Sequence, residues 1–143
     1  MVAYSFKPYF SPQIATGLKT HTIRADRKRH ARPGEDLQLF ESMRTRACRK
    51  IIPDPVCTFA NTIAIMLDDD GIFSIEIHGK WIGTDREAIE YFARRDGFAP
   101  EHINGIAIDM HGKTATENMN RFWLDNYGSG VFSGVIIGWG EPL

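Results

Sequence analysis

Apolar and polar positions along the chain predict an order of strand, short helix, several strands, two helices and a last strand. Residues 4–6 read as a first short strand. Ser11-Pro12 predicts a helical turn with Ser11 as N-cap and Pro12 at the first helical position, and Gly17 ends it. Residues 20–24, with two threonines and an isoleucine, favour the extended state. The polar, basic segment 25–36 ends in Pro33-Gly34, which turns the chain into the strand 37–40. Residues 46–52, 56–67 and 72–82 are rich in β-branched side chains and predict three more strands. Asp68-Asp69-Asp70-Gly71 forms the hairpin loop between the last two.

Helical periodicity begins after Thr84. Thr84-Asp85-Arg86-Glu87 has the spacing of a capping box ahead of Ile89, Phe92 and Ala93, with Gly97 as the stop. Thr114 and Glu117 repeat that spacing before Met119, Phe122, Trp123 and Tyr127, and Gly128 stops this second helix. Residues 131–139 form a closing apolar strand. Hairpin-connected strands with helices gathered late predict an α+β fold whose mixed or antiparallel sheet curls into a small barrel. Phe59, Trp81, Phe122, Trp123 and Trp139 are expected in its core.

Composition adds bounds. At 143 residues with 43% hydrophobic content, one domain over residues 1–143 with a sizeable core is expected. No apolar run approaches the roughly 20 residues that cross a bilayer, and the first residues lack the segments of a signal peptide. The expectation is a cytoplasmic protein without membrane contact, a monomer or weak dimer. Cys48 and Cys57 read as reduced thiols, half-buried on strands. Histidines 21, 30, 78, 102 and 111 have no metal-site spacing, and no C-x-x-C, phosphate-cradling loop or G-x-S-x-G occurs, so no metal or cofactor is expected.

Charge is unevenly distributed along the chain. Residues 1–50 carry eleven Lys or Arg against four Asp or Glu, a net of +7; residues 51–143 carry six against fourteen, a net of −8. The near-neutral total hides a polarity that favours a polyanion or nucleotide at the N-terminal half. Within that half, Gly17-Leu18-Lys19-Thr20-His21-Thr22-Ile23-Arg24 gathers an amine, hydroxyls, an imidazole and a guanidinium. Threonine becomes a nucleophile when a neighbouring base takes its proton, and a lysine of lowered pKa can serve. In a regular strand Thr22 and Arg24 share a face and Lys19 points away, so a bulge or turn near Thr20 is required for Lys19 to reach Thr22. A solvated hairpin edge is the plainer reading of the same residues.

Asp96 falls at the expected end of the first long helix, where the helix dipole disfavours its anion and should raise its pKa toward that of a general acid. Read plainly, it is an ordinary turn residue. The loop holding Arg27, Lys28, Arg29, His30 and Arg32 suits phosphate binding, or is a solvated surface loop. Tyr9 and Phe10 lie close enough in sequence to stack on a base, or they pack in the core.

Together these residues resemble the ASCH domain of the PUA-like superfamily. Residues 17–24 look like that family's G-x-K-x-x-T-x-R signature, and Pro33-Gly34-Glu35-Asp36 precedes the following strand in the same way. Ala93-Arg94-Arg95-Asp96-Gly97-Phe98, Phe122-Trp123, Tyr127-Gly128 and the final strand extend the likeness over nearly the whole chain. The resemblance implies a small β-barrel flanked by helices, with a cleft facing the signature strand. Small bacterial members hydrolyse N(4)-acetylcytidine to cytidine and acetate with a Lys, a Thr and a Glu, which by motif fall on Lys19, Thr22 and Asp96. Aspartate is one methylene shorter than glutamate, and a displacement of about 1 Å can cost about 10²-fold in rate. The longer middle hairpin and tail also depart from the minimal members.

The expected scheme makes Lys19 the base, Thr22 the nucleophile and Asp96 the acid that protonates the leaving nitrogen. Arg24, His21 and Tyr9 would bind substrate, and Lys19→Ala should end turnover without unfolding the protein. Other relatives bind or cleave RNA. A non-catalytic module holding RNA or DNA through Arg27, Lys28, Arg29 and Arg32, or a metal-independent ribonuclease, therefore stand as alternatives.

Overall fold

The computed structural model describes residues 1–78 and 80–142, and for residues 81 and 83 the backbone alone. The side chain of Trp81, expected in the core, and Gly79, inside the expected strand 72–82, lie outside the described residues. Among the described residues eight strands form two sheets. In the first, β1 (Val2–Phe6) pairs in parallel with β3 (Leu37–Glu41), and β4 (Arg49–Lys50) adds antiparallel to β3. The second is antiparallel, in the order β2 (His21–Ala25), β8 (Gly130–Gly138), β5 (Phe59–Asp68), β6 (Gly71–Ile77) and β7 (Lys80–Gly83). With them come the helices α1 (Ser11–Ala15), α2 (Arg86–Ala93), α3 (Pro100–Ile103) and α4 (Ala115–Tyr127). The fold is α+β, with one mixed and one antiparallel sheet.

Burial follows the alternation of each strand. Tyr4, Leu37, Leu39, Ile65, Ile75, Ile136 and Ile137 face one connected core, joined by Phe98, Ile103, Met119 and Trp123 from the helical half. Phe59 is also in this core, while Phe122 and Trp139 are partly buried against it. The last strand is interior, lying between β2 and β5, and glycine permits that approach. A Cβ on Gly134 would stand 2.3 Å from the Arg24 carbonyl oxygen.

No described backbone ladder joins β1 to β2, so the expected barrel is not closed by strand pairing. Arginines bridge the seam instead. Arg24 Nη2 donates to the Ser5 carbonyl at 2.6 Å, and Arg27 Nη2 reaches the Ala3 carbonyl at 3.5 Å. Their guanidinium groups lie over the Tyr4 ring at 5.4 and 4.7 Å. Edge carbonyls that a neighbouring strand would satisfy are thus met by side chains.

Several boundaries differ from expectation. Within 46–52 only Arg49–Lys50 form a strand, with Ile51 N also donating to the Leu39 carbonyl at 2.9 Å, and Ser42 and Arg44 take positive φ in the turn before it. Pairing of 56–67 begins at Phe59, after Val56 makes an isolated bridge to Asp36. His78, at φ 52, divides 72–82 into β6 and β7. Neither cysteine is on a strand: Cys48 is exposed in a turn, and Cys57 is buried with Sγ donating to the Phe59 carbonyl at 3.4 Å. Asp85, not Thr84, caps α2 by accepting from Glu87 N. Thr114 caps α4 as expected. Ser11 is already helical, since a 3₁₀ turn at Pro8–Phe10 starts the helix early, and its hydroxyl donates to Glu41 at 2.6 Å.

Candidate active site

Lys19 precedes β2 in irregular backbone, which removes the strand geometry that would point it away from Thr22. The Gln13 carbonyl accepts from both Leu18 N and Lys19 N, at 2.9 and 3.1 Å, and so ties this turn to α1. Pairing of β2 begins one residue later than expected, at His21. Lys19 and Thr22 then line one cleft of about 220 Å³ together with Arg24 and Asp96.

Asp96 arrives from the other half of the chain. After α2 the backbone widens into a π-type turn, Arg94–Phe98, and leaves it through Gly97 at φ 101. A Cβ at Gly97 would meet Phe10 at 2.8 Å and Lys19 Cδ at 3.2 Å, so glycine meets both the conformation and the space. Two buried amides hold this turn. Gln13 Nε2 donates to the Gly97 carbonyl at 2.9 Å, and Asn118 Nδ2 donates to the Phe98 carbonyl at 3.0 Å.

The polar centre is a buried triad. Lys19 Nζ donates to the Asp96 carbonyl at 2.6 Å and to its Oδ1 at 3.1 Å. His21 Nε2 lies 3.0 Å from the same Oδ1, off the direction of a formed hydrogen bond. Lys19, His21 and Asp96 are exposed by only 3%, 1% and 5%. Burial pushes the Lys19 pKa down, and Asp96 pulls it back only in part. His21 is likewise lowered by burial, which favours the neutral ring.

For Asp96 burial works upward, but Lys19 and His21 outweigh it and hold the pKa below the ordinary carboxylate value. The expected rise at a helix end is therefore corrected. A cation at 3.1 Å in low dielectric outweighs the partial charge of a helix terminus. The pair rests as ammonium and carboxylate, with the ammonium easier to deprotonate than a solvated lysine.

Thr22 is arranged differently. Its Oγ1 accepts from Arg24 Nε at 3.1 Å, while that guanidinium also holds the Ser5 carbonyl and lies between the Tyr4 and Phe6 rings. Arginine only donates, so the Thr22 proton stays available to another acceptor, and the adjacent positive charge favours an alkoxide. Phe6, Phe10, Phe98, Phe122, Trp123 and Tyr127 complete the walls. The Phe10 and Phe122 rings each lie 5.5 Å from that of Phe98, and Lys19 Nζ sits 4.8 Å over Phe10.

Thus Lys19, Thr22, Arg24 and Asp96 are brought together as the sequence suggests. His21 stands behind Asp96 and does not line the cleft; Tyr9 lines an adjoining cavity. Arg27, Lys28, Arg29 and Arg32 are outside the lining, and two of them are engaged within the protein. Arg27 bridges the sheet seam, and Arg29 pairs with Glu35. The aromatic walls and the amides of Gln13 and Asn118 were not legible as site residues, because polar and aromatic spacing does not separate packing from lining. A larger cavity of about 660 Å³ lies between β6 and the two long helices. Its Glu90 already accepts from Ala115 N and Thr116 N, and no pair like Lys19–Asp96 converges there among the described residues.

Among the described residues no group of three or more His, Cys, Asp or Glu is placed to hold a metal ion, and no helix is long and apolar enough to cross a membrane. Comparison with protein-family models, curated proteins and solved structures finds no match to this chain.

Proposed function

We propose that this protein is an amidohydrolase that removes an acyl group from the exocyclic nitrogen of a pyrimidine nucleoside, with N(4)-acetylcytidine as the model substrate. One observation carries the reading: a threonine hydroxyl held by an arginine shares an aromatic cleft with a buried lysine–aspartate pair. The resemblance to the ASCH domain points the same way, and the two sheets bridged by Arg24 and Arg27 would be the halves of its PUA-like barrel.

In this scheme Lys19 passes a proton to Asp96 as it takes the Thr22 proton, and Thr22 Oγ1 bonds to the acyl carbon. Arg24 faces the oxyanion that develops. The carbon–nitrogen bond then breaks, and Lys19 returns a proton to the leaving nitrogen while recovering its own from Asp96. Water, deprotonated by the same pair, cleaves the Thr22 ester, releases acetate and restores the hydroxyl. Asp96 acts as an acid only within the cycle, starting from its carboxylate form. Its shorter reach matters less here, since it meets Lys19 directly.

Aromatic walls suit a flat heterocycle, and a volume near 220 Å³ is below the roughly 300–1,000 Å³ usual for drug-sized ligands, so it favours one base over a length of polymer. The test is release of cytidine from N(4)-acetylcytidine by the purified protein beside Thr22→Val. Turnover lost in the variant supports the scheme. Absence of turnover in both, with salt-sensitive RNA binding, would sink it in favour of a nucleic-acid module.

A further inference from the structure

We propose that the cavity beside the cleft is a sugar subsite that accepts a free ribose and repels its phosphate esters. The proposal rests on the nucleoside-amidohydrolase reading above. The cavity measures about 380 Å³ and shares Lys7, Phe122 and Asn126 with the cleft, so these three residues form the threshold between them. The cleft is small for a whole nucleoside, whereas the two spaces in series provide for a base with its acyl arm and then its sugar.

The cavity is rich in acceptors. Asp109 and Asp125 line it, and Asp125 gives one oxygen to Arg121 Nε at 2.8 Å, which leaves the other to accept. Asn126 Nδ2 gives one hydrogen to the Phe122 carbonyl at 2.8 Å, and its Oδ1 can accept from a ligand donor. Tyr9 and Phe122 add ring surface. Vicinal hydroxyls are donors that carboxylates accept, and sugar C–H faces pack on aromatic rings. A phosphate would instead face the carboxylates of Asp109 and Asp125, the latter paired with Arg121, with Lys7 as the one cation lining the cavity among the described residues.

The wall is also fixed in place. Asn118 Oδ1 accepts from Gly112 N at 2.8 Å, its Nδ2 donates to Asn104 Oδ1 at 3.0 Å, and Asn104 Nδ2 donates to the Gly112 carbonyl at 2.9 Å. These bonds close the loop that carries Asp109, and the buried Ala107 and Met110 anchor it.

The experiment compares kcat/KM of the full chain for N(4)-acetylcytosine, N(4)-acetylcytidine and N(4)-acetylcytidine 3′,5′-bisphosphate. The bisphosphate carries phosphate at both positions, so the result does not depend on the direction of the ribose. At low salt the nucleoside should exceed both others by about tenfold, and the gap to the bisphosphate should narrow as salt screens the carboxylates. Asp109→Asn and Asp125→Asn, checked for unchanged melting temperature, should each cut the nucleoside-to-bisphosphate ratio by about threefold, a modest change because these side chains meet solvent. Equal efficiency for nucleoside and bisphosphate, or for nucleoside and bare base, overturns the subsite while leaving the amidohydrolase intact. Failure to hydrolyse any of the three overturns both.

Discussion

Lys19 holds Asp96 twice, through its carbonyl at 2.6 Å and its carboxylate at 3.1 Å, across 77 positions of sequence. One side chain thus sets both the charge and the backbone position of its partner. This changes what Lys19→Ala should do. Truncation leaves a carboxylate almost wholly buried without its cation, so the variant should lose activity and about 3–5 kcal/mol of stability, contrary to the expectation of an intact fold. Pairing Lys19→Met with Asp96→Asn removes both charges and should recover most of the stability but no activity. Urea unfolding midpoints of the three proteins decide this, and an unchanged midpoint for Lys19→Ala would refute the buried pair.

Thr22 separates chemistry from packing. Thr22→Ser keeps the hydroxyl beside Arg24 and should retain activity within about tenfold, whereas Thr22→Val should lose about 10³-fold or more. The valine also takes the acceptor from Arg24 Nε, costing about 1–3 kcal/mol for a half-buried donor. Serine as inactive as valine would remove Thr22 from the nucleophile's role.

The pH profile should be bell-shaped. Activity requires the Asp96 anion, whose pKa is held below the ordinary value, so the acid limb falls below about 3.8. It also requires the Lys19 proton, so the alkaline limb falls below the 10.5 of a free lysine. Stability follows the same groups. Asp96 binds protons less readily folded than unfolded, so its contribution is present above the ordinary carboxylate value and is lost as pH falls through the folded one. Lys19, lowered on folding, makes stability rise with pH between its folded value and 10.5. A titration of kcat/KM and of unfolding midpoints checks both limbs.

Gly97→Ala should act on both fold and site. The new Cβ must enter at φ 101, 2.8 Å from the Phe10 ring and 3.2 Å from Lys19 Cδ. A destabilisation of about 1–3 kcal/mol with a larger proportional loss of kcat is expected. Thermal unfolding beside kinetics separates the two, and a variant with normal kcat would show that Asp96 does not depend on this turn.

Much of the fold was legible. Apolar alternation found β1, β3, β5, β6 and β8, and the capping residue Thr114 with the stop Gly128 found α4. What was lost were features set by other parts of the chain. The early start of α1 follows a 3₁₀ turn at Pro8–Phe10, and the chain before the short β4 turns through positive φ at Ser42 and Arg44. Neither leaves a periodic signal. Lys19, Thr22, Arg24 and Asp96, singled out by residue type and by the resemblance, line one cleft. The expected rise of the Asp96 pKa did not hold, because the dipole argument weighed only its own helix and not the charge of Lys19 against it.

The π-type turn at Arg94–Phe98 carries a consequence for how this chain can change. A substitution there alters one side chain, but an insertion or deletion alters the count of residues between α2 and Gly97. Removing one residue would let the turn relax into regular helix and swing the carboxylate by about 100°, one residue's rotation at 3.6 per turn. The helix would then be better and the site gone. Length in this segment is therefore as binding a constraint as the identities of Asp96 and Gly97.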